Sequence, residues 1–225
     1  MEKSSVAEKV GLHQSPLDLK HSQTMRIQKK IAFHDNWRDI KGNFDACQKT
    51  GHCNFEVTSD AFLDFGSHKA KLVKVHFHQD SEHLVDGKIF DGEIHFIHQL
   101  LPYENTGDDS IEEPSELLVV GVLMEISQKE DQTASNSLLN FFRRENGASS
   151  SELPNDIADK VNKLDEFYYY RGSLTSSPYT EHVTWAVFKD SIPVAKDSID
   201  RIKEAHQHAR GPQEWNRRFV LRNFD

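Results

Sequence analysis

Between Val75 and His98 the chain carries His76, His78, His83, His95 and His98 together with Glu82 and Glu93. Side chains alternate between the two faces of a strand, so His76 and His78 point the same way and Phe77 points into apolar packing. A second apolar, alternating run, Glu93-Ile94-His95-Phe96-Ile97-His98, supplies His95 on the face of its own strand. Val85-Asp86-Gly87-Lys88 between the runs has turn chemistry, so the two strands can lie side by side as a hairpin. His76, His78 and His95 then converge on one point. Three neutral nitrogen ligands with a fourth position open form the donor set of a catalytic zinc site. A His-x-His pair taken alone is more often exposed or structural. The carboxylates strengthen the case, because a zinc-bound imidazole needs its other nitrogen tied to an acceptor. Glu93 lies two residues before His95 on the same face, and Glu82 sits beside His83 in the connecting segment.

Such a pair of strands needs a sheet around it. Gln14 to Leu19 reads as a tight entry into the fold. Met25 to Ile31, Phe44 to Cys47 and Phe55 to Val57 are consistent with strands, with a turn at Thr50-Gly51-His52. The metal strands run from Lys71 to His98. Leu117 to Met124 is a near-continuous apolar run, whose length and β-branched content predict a central buried strand. Val183 to Phe188 and Phe219 to Leu221 predict further strands. Apolar residues at helical spacing predict helices over Ala134 to Arg144, capped by Ser135 or Ser137, and over Asp156 to Phe167. The strongest helical pattern is Asp197 to Ala209, where Ile199, Ile202 and Ala205 share a face. Asp197 or Ser198 is its expected cap, and Gly211-Pro212 its stop. Pro102 to Pro114 is acidic and loop-like. The expectation is a flexible tail over residues 1–10 and one strand-rich domain over residues 11–225, with peripheral helices.

A length of 225 residues fits a single domain with a sizeable core. A net charge of −9 argues against a nucleic-acid partner and against a surface that seeks anionic lipid. No apolar run approaches a membrane span. Met1 to Val10 is polar and lacks the apolar stretch of a signal peptide, so the expected location is cytoplasmic, with a processed secreted chain as the alternative. Cys47 and Cys53 read as thiols in a reducing compartment, with a local disulfide across the turn as the alternative. Oligomeric state is not legible.

Beyond these local readings, Gln14-Ser15-Pro16, Gly51-His52, His76-Phe77-His78, Ser81 to Asp86, Glu93 to His98, Gly172-Ser173-Leu174-Thr175, Val183-Thr184-Trp185 and Asn216 to Leu221 stand in an order and spacing that resembles the α-class carbonic anhydrases. The resemblance runs from about Gly11 to the C-terminus and rests on the joint order of the motifs. It implies a mainly β (α+β) domain with a largely antiparallel, twisted central sheet and a conical zinc cavity. The implied activity is reversible hydration of carbon dioxide to bicarbonate and a proton, by attack of zinc-bound hydroxide. Zinc would be held by His76, His78 and His95. Thr175 would take a hydrogen bond from the hydroxide and give one to Glu82, while its backbone amide would face the substrate or an anion. Glu93 would orient His95. His83, Tyr170 and Ser15 would form a buried network behind the site. Ile97, Val119, Leu174, Val183 and Trp185 match the apolar wall that receives carbon dioxide, with Ser176 beside Thr175; without the resemblance, the apolar five read as ordinary core. His52 matches the proton shuttle, for which an imidazole is suited.

The chain departs from the family pattern in several places. Lys74 stands where a glutamine usually accepts a hydrogen bond from the first zinc histidine, and an ammonium cannot accept one. Gln79 replaces a tryptophan, Ser177 replaces the first of two prolines, and the aromatic-rich opening segment is absent. A carbonic-anhydrase-related binding module that has lost catalysis is the competing function. Members of that kind typically lack one or more zinc histidines, whereas His76, His78 and His95 are all here.

Overall fold

The computed structural model describes residues 11–45, 53–101, 116–127, 137, 138, 141, 151–205 and 209–225. The strands are β1 (Asp18–Leu19), β2 (Met25–Arg26), β3 (Ile31–Phe33), β4 (Lys41–Asp45), β5 (Cys53–Val57), β6 (Phe62–Phe65), β7 (His68–Gln79) and β8 (Leu84–Val85). They continue with β9 (Gly92–Leu100), β10 (Leu117–Ile126), β11 (Ser151–Glu152), β12 (Phe167–Gly172), β13 (Val183–Phe188), β14 (Ile192–Val194) and β15 (Leu221–Arg222). Two described helices are α1 (Asn155–Val161) and α2 (Lys196–Ala205). Among the described residues no helix is long and apolar enough to cross a membrane.

One large sheet runs in the order β11–β4–β5–β7–β9–β10–β13–β12–β15–β2. Most neighbours are antiparallel; β10 pairs in parallel with β13 and β14, as does β15 with β2. The largely antiparallel sheet expected from the sequence is therefore what the chain forms. At its centre, β7 and β9 pair so that His76 faces His95 and His78 faces Glu93. The hairpin reading of the two histidine strands holds.

Apolar packing covers both faces of this centre. On one side Phe55, Val75, Phe77, Ile94, Phe96, Leu118, Val120 and Val122 join the larger core. On the other, Val119, Val183, Trp185 and Val187 pack with Leu17, Leu19, Tyr168 and Tyr170. A strand covered on both faces has no need of polar alternation, which is why β10 reads as an unbroken apolar run.

Four expectations need correction. Met25 to Ile31 is not one strand: β2 pairs with β15 whereas β3 pairs with β6, so the chain leaves one neighbour for another between them. The helix expected over Asp156 to Phe167 stops at Val161, because Phe167 is fully buried and opens β12 opposite Phe188. Leu221 and Arg222 form the last strand, while Phe219 is 74 % exposed. Helix α2 begins at Lys196, so Asp197 lies inside the first turn, where a carboxylate favours the positive end of the helix dipole, rather than at the cap. Its residues Ile199 and Ile202 are buried as expected. Of the stretch Ala134 to Arg144, the described residues Ser137, Leu138 and Phe141 are helical, and Leu138 and Phe141 are buried. The residue 1–10 tail, the acidic stretch 102–114, Cys47 and His52 lie outside the described residues.

Candidate metal centre

Strands β7 and β9 aim their imidazoles into a cavity of about 350 Å³. His78 Nε2 and His95 Nδ1 stand 3.2 Å apart. Zinc–nitrogen bonds of about 2.0–2.1 Å in a tetrahedron put ligand nitrogens roughly 3.4 Å apart, so this pair already has the separation of a shared metal. The His76 ring lies parallel to that of His78, with centroids 4.4 Å apart, and 6.3 Å from that of His95. His78, His95 and Glu82 form one donor group whose candidate ligand atoms all lie within 4.8 Å of one another. The structure thus brings His78 and His95 to ligand spacing and sets His76 one stacked ring away, on the same cavity wall.

Glu93 fixes the orientation of His95. Its Oε1 lies 3.0 Å from His95 Nε2, which leaves Nδ1 toward the cavity. The same oxygen lies 2.8 Å from His83 Nδ1, and Oε2 accepts from the backbone N–H groups of Glu82 and His83, both at 2.9 Å. With three hydrogen bonds already accepted and His95 Nε2 close by, this carboxylate serves its neighbours, and the group of His83, Glu93 and His95 reads as an orienting network. Burial pushes the Glu93 carboxyl up, but the charges and hydrogen bonds of His83 and His95 outweigh it and hold the carboxyl well below the usual range. For His95, burial pulls the pKa down; Glu93 overrides it and raises the imidazole above its ordinary value.

Behind this layer His83 Nε2 meets the Tyr170 hydroxyl at 2.7 Å, and that hydroxyl donates to Ser15 Oγ at 3.0 Å. Ser15 Oγ also accepts from the Ser173 backbone N–H. The buried network expected of His83, Tyr170 and Ser15 is present. It needs Gly172, because a Cβ there would stand 2.1 Å from Ser15 Oγ.

Glu82 closes the cavity from the side. Its Oε2 is 3.6 Å from His78 Nε2, and its Oε1 accepts from the Arg210 backbone N–H at 2.9 Å. Burial raises its pKa, against the opposing pull of His95, a hydrogen bond from the Thr175 hydroxyl and the Arg210 amide. Ile97, Val119, Leu174 and Trp185 contribute apolar lining to the same cavity, with Ser176 beside Thr175. Val183 is not at the cavity surface; it is buried in the apolar cluster behind the wall. Lys74 turns its ammonium away to Glu56, at 2.8 Å. Gln79 donates to the side chain of Asp80.

Sequence reasoning missed Tyr179, Ser177 and Arg210, which also line the cavity. Arg210 stands in a polar stretch just before Gly211-Pro212, and nothing in its neighbours marks it.

Comparison with known proteins places this arrangement. The chain is 27% identical over 211 residues to carbonic anhydrase 1 of Oryctolagus cuniculus, covering 89% of each protein. It is 29% identical over 232 residues to putative carbonic anhydrase 3 of Caenorhabditis elegans, covering 92% of this chain and 85% of the other. In structure it is similar to the α-carbonic anhydrase of Thermovibrio ammonificans bound to the inhibitor sulfanilamide, with a TM-score of 0.73 and 22% identity over 95% of this chain and 88% of that one. It is also similar to dioscorin complexed with ascorbate, with a TM-score of 0.72 and 22% identity over 94% of this chain and 86% of that one. A family model for the eukaryotic-type carbonic anhydrases matches residues 2–224, and with the sheet and histidine cavity described above the chain belongs to that family.

Proposed function

We propose that the chain is a zinc-dependent carbonic anhydrase that interconverts carbon dioxide and bicarbonate. The observation that carries this reading is the pair His78 Nε2 and His95 Nδ1, 3.2 Å apart in a cavity with an apolar wall. His76, His78 and His95 would hold the metal. Bound zinc brings the ionisation of water down to about 7, the value known for carbonic anhydrase.

The chain's own residues do the rest. Thr175 spends its one hydroxyl hydrogen on Glu82. It therefore offers only lone pairs to the cavity, and an attacking hydroxide must turn its hydrogen toward Thr175 Oγ1. A hydroxide lone pair is left aimed at the substrate carbon. The Arg210 amide holds Oε1 of Glu82, so the carboxylate is oriented before substrate arrives. Ile97, Val119, Leu174 and Trp185 exclude water from the volume that an apolar, uncharged molecule would take. Glu93 keeps His95 in the tautomer with Nδ1 free. His52 is the proposed carrier of the proton released in each turnover.

The test is metal analysis together with stopped-flow hydration of carbon dioxide. About one zinc per chain and hydration suppressed by a primary sulfonamide are expected, as is loss of zinc in His95→Ala. His52→Ala should slow proton release and recover with imidazole buffer. Protein that takes up no zinc and shows no hydration would sink the proposal and favour a non-catalytic binding module.

A further inference from the structure

Arg210 is tied down on one edge only. Its guanidinium lies over the Tyr179 ring, 4.1 Å from the centroid. Nη1 donates to Gln14 Oε1 at 3.0 Å and to the Ser15 carbonyl at 2.7 Å, which uses both of its hydrogens. Nε and Nη2 carry three more N–H donors, and these have no acceptor among the described residues. Two neighbouring arginines behave differently. Arg218 donates from Nε, Nη1 and Nη2 to the carbonyls of Trp215, Arg171, Gln14 and Glu214. Arg222 uses Nε and Nη1 on the carbonyls of Phe224 and Thr24. Arg218 thus spends all three of its nitrogens and Arg222 two, whereas Arg210 spends one.

Its surroundings hold that edge in place. Tyr179, which supports the guanidinium face, sits at φ 59°, a left-handed conformation that is strained for a bulky residue. Gln14 Nε2 donates to the Tyr179 carbonyl at 3.1 Å, so Gln14 ties both partners of the stack. The result is a flat, pre-oriented fork of donors on a residue that lines the cavity. Glu82 is a carboxylate among the lining residues and the chain carries a net charge of −9, so an anion entering or leaving the cavity meets repulsion elsewhere. A planar O–C–O anion matches the geometry of a guanidinium edge.

We propose that the free edge of Arg210 is an anion-docking site at the rim of the cavity and that its ligand is bicarbonate, an inference that rests on the function proposed above. The test compares wild-type protein with Arg210→Gln and Arg210→Lys. Hydration of carbon dioxide is followed with added bicarbonate at constant ionic strength. The inhibition constant for bicarbonate should rise about five- to tenfold in Arg210→Gln, the scale of one charge-assisted hydrogen-bond pair at a partly exposed site. Hydration kcat/KM should fall by less, about two- to threefold, and Arg210→Lys, which keeps the charge and loses the fork, should lie between. A second readout needs neither zinc nor turnover: saturation-transfer NMR with formate as the planar anion, whose signal should drop about threefold or more in Arg210→Gln. An unchanged bicarbonate inhibition constant, or a formate signal equal in both proteins, overturns the proposal. So does a large loss of kcat/KM with unchanged inhibition, because Arg210 would then act only through Glu82. A zinc-loaded wild type with no hydration activity would instead overturn the enzymatic reading, and the formate comparison would still decide the anion site.

Discussion

Glu93 has more partners than any orienting role for His95 requires. Read from sequence, it steadies one imidazole; in the fold it also accepts the main-chain amides of Glu82 and His83 and the ring of His83. The two amide contacts were illegible because main-chain donors carry no residue type. They also explain Gly121, which stands opposite His95 in the register and whose Cβ, if present, would lie 2.8 Å from Glu93 Oε1 and 3.3 Å from Val187 Cγ2. A free glutamate could swing aside; this one is held from several directions. Gly121→Ala is therefore expected to cost about 1–3 kcal/mol of stability in denaturant titration. It should also weaken zinc affinity by about 10- to 100-fold in a chelator competition, the usual effect of disturbing a ligand's orienting partner. Unchanged zinc affinity in Gly121→Ala would show that Glu93 does not control His95.

Strand β7 is where element-level reading falls short. Strict alternation from His76 and His78 back to Leu72 puts all of them on one face. Instead Leu72 and Val75 are both fully buried in the core, and the pairing with β9 slips between Leu72 and Lys74. A bulge there turns the strand over, so the first half packs its even-numbered residues inward and the second half aims them at the cavity. An extra residue in one strand leaves no compositional mark, whereas the partner strand that accommodates it is visible only in the fold. Helix α2, by contrast, was legible from its spacing, and it packs against β7. Ile202 is fully buried beneath it. Ile202→Ala should destabilise the protein by about 2–4 kcal/mol, measured by denaturant unfolding, with zinc stoichiometry retained. A loss of less than about 0.5 kcal/mol would mean the helix is not part of the cooperative unit.

At the scale of the molecule, stability should depend on pH through groups that burial and pairing have moved. His98 is fully buried against Trp37, and desolvation pulls its pKa from 6.5 to about 4. A folded-state value below the unfolded one means that the unfolded chain binds the proton first. Its share of stability is therefore intact above about 6.5, erodes as pH falls toward about 4, and amounts to about 3 kcal/mol. Glu93, held low in the fold, adds a second loss that starts as pH falls below the ordinary carboxyl value of 4.5. His95 has the opposite sign: its raised value gives the metal-free protein stability that is complete below 6.5 and lost as pH rises through the folded value. Metal-free protein should thus be most stable near neutral pH. His98→Phe should flatten the slope of unfolding free energy between about pH 6.5 and 4. An unaltered slope in that variant would show that His98 is not the group responsible.

The local chemistry of this protein was present in its order of residues: two histidine strands joined by a turn, a carboxylate two places before His95, an apolar run too regular to be surface. Each depends on neighbours in the chain: strand alternation sets His76 and His78 on one face, and the turn that pairs the two strands adds His95. Only the tertiary structure decided what arrives from elsewhere. Arg210 reaches Glu82 across 128 positions, and Tyr170 reaches Ser15 across 155. Contacts of that separation depend on how the strands are ordered in the sheet and on one slipped register, and neither is encoded by any short stretch of sequence.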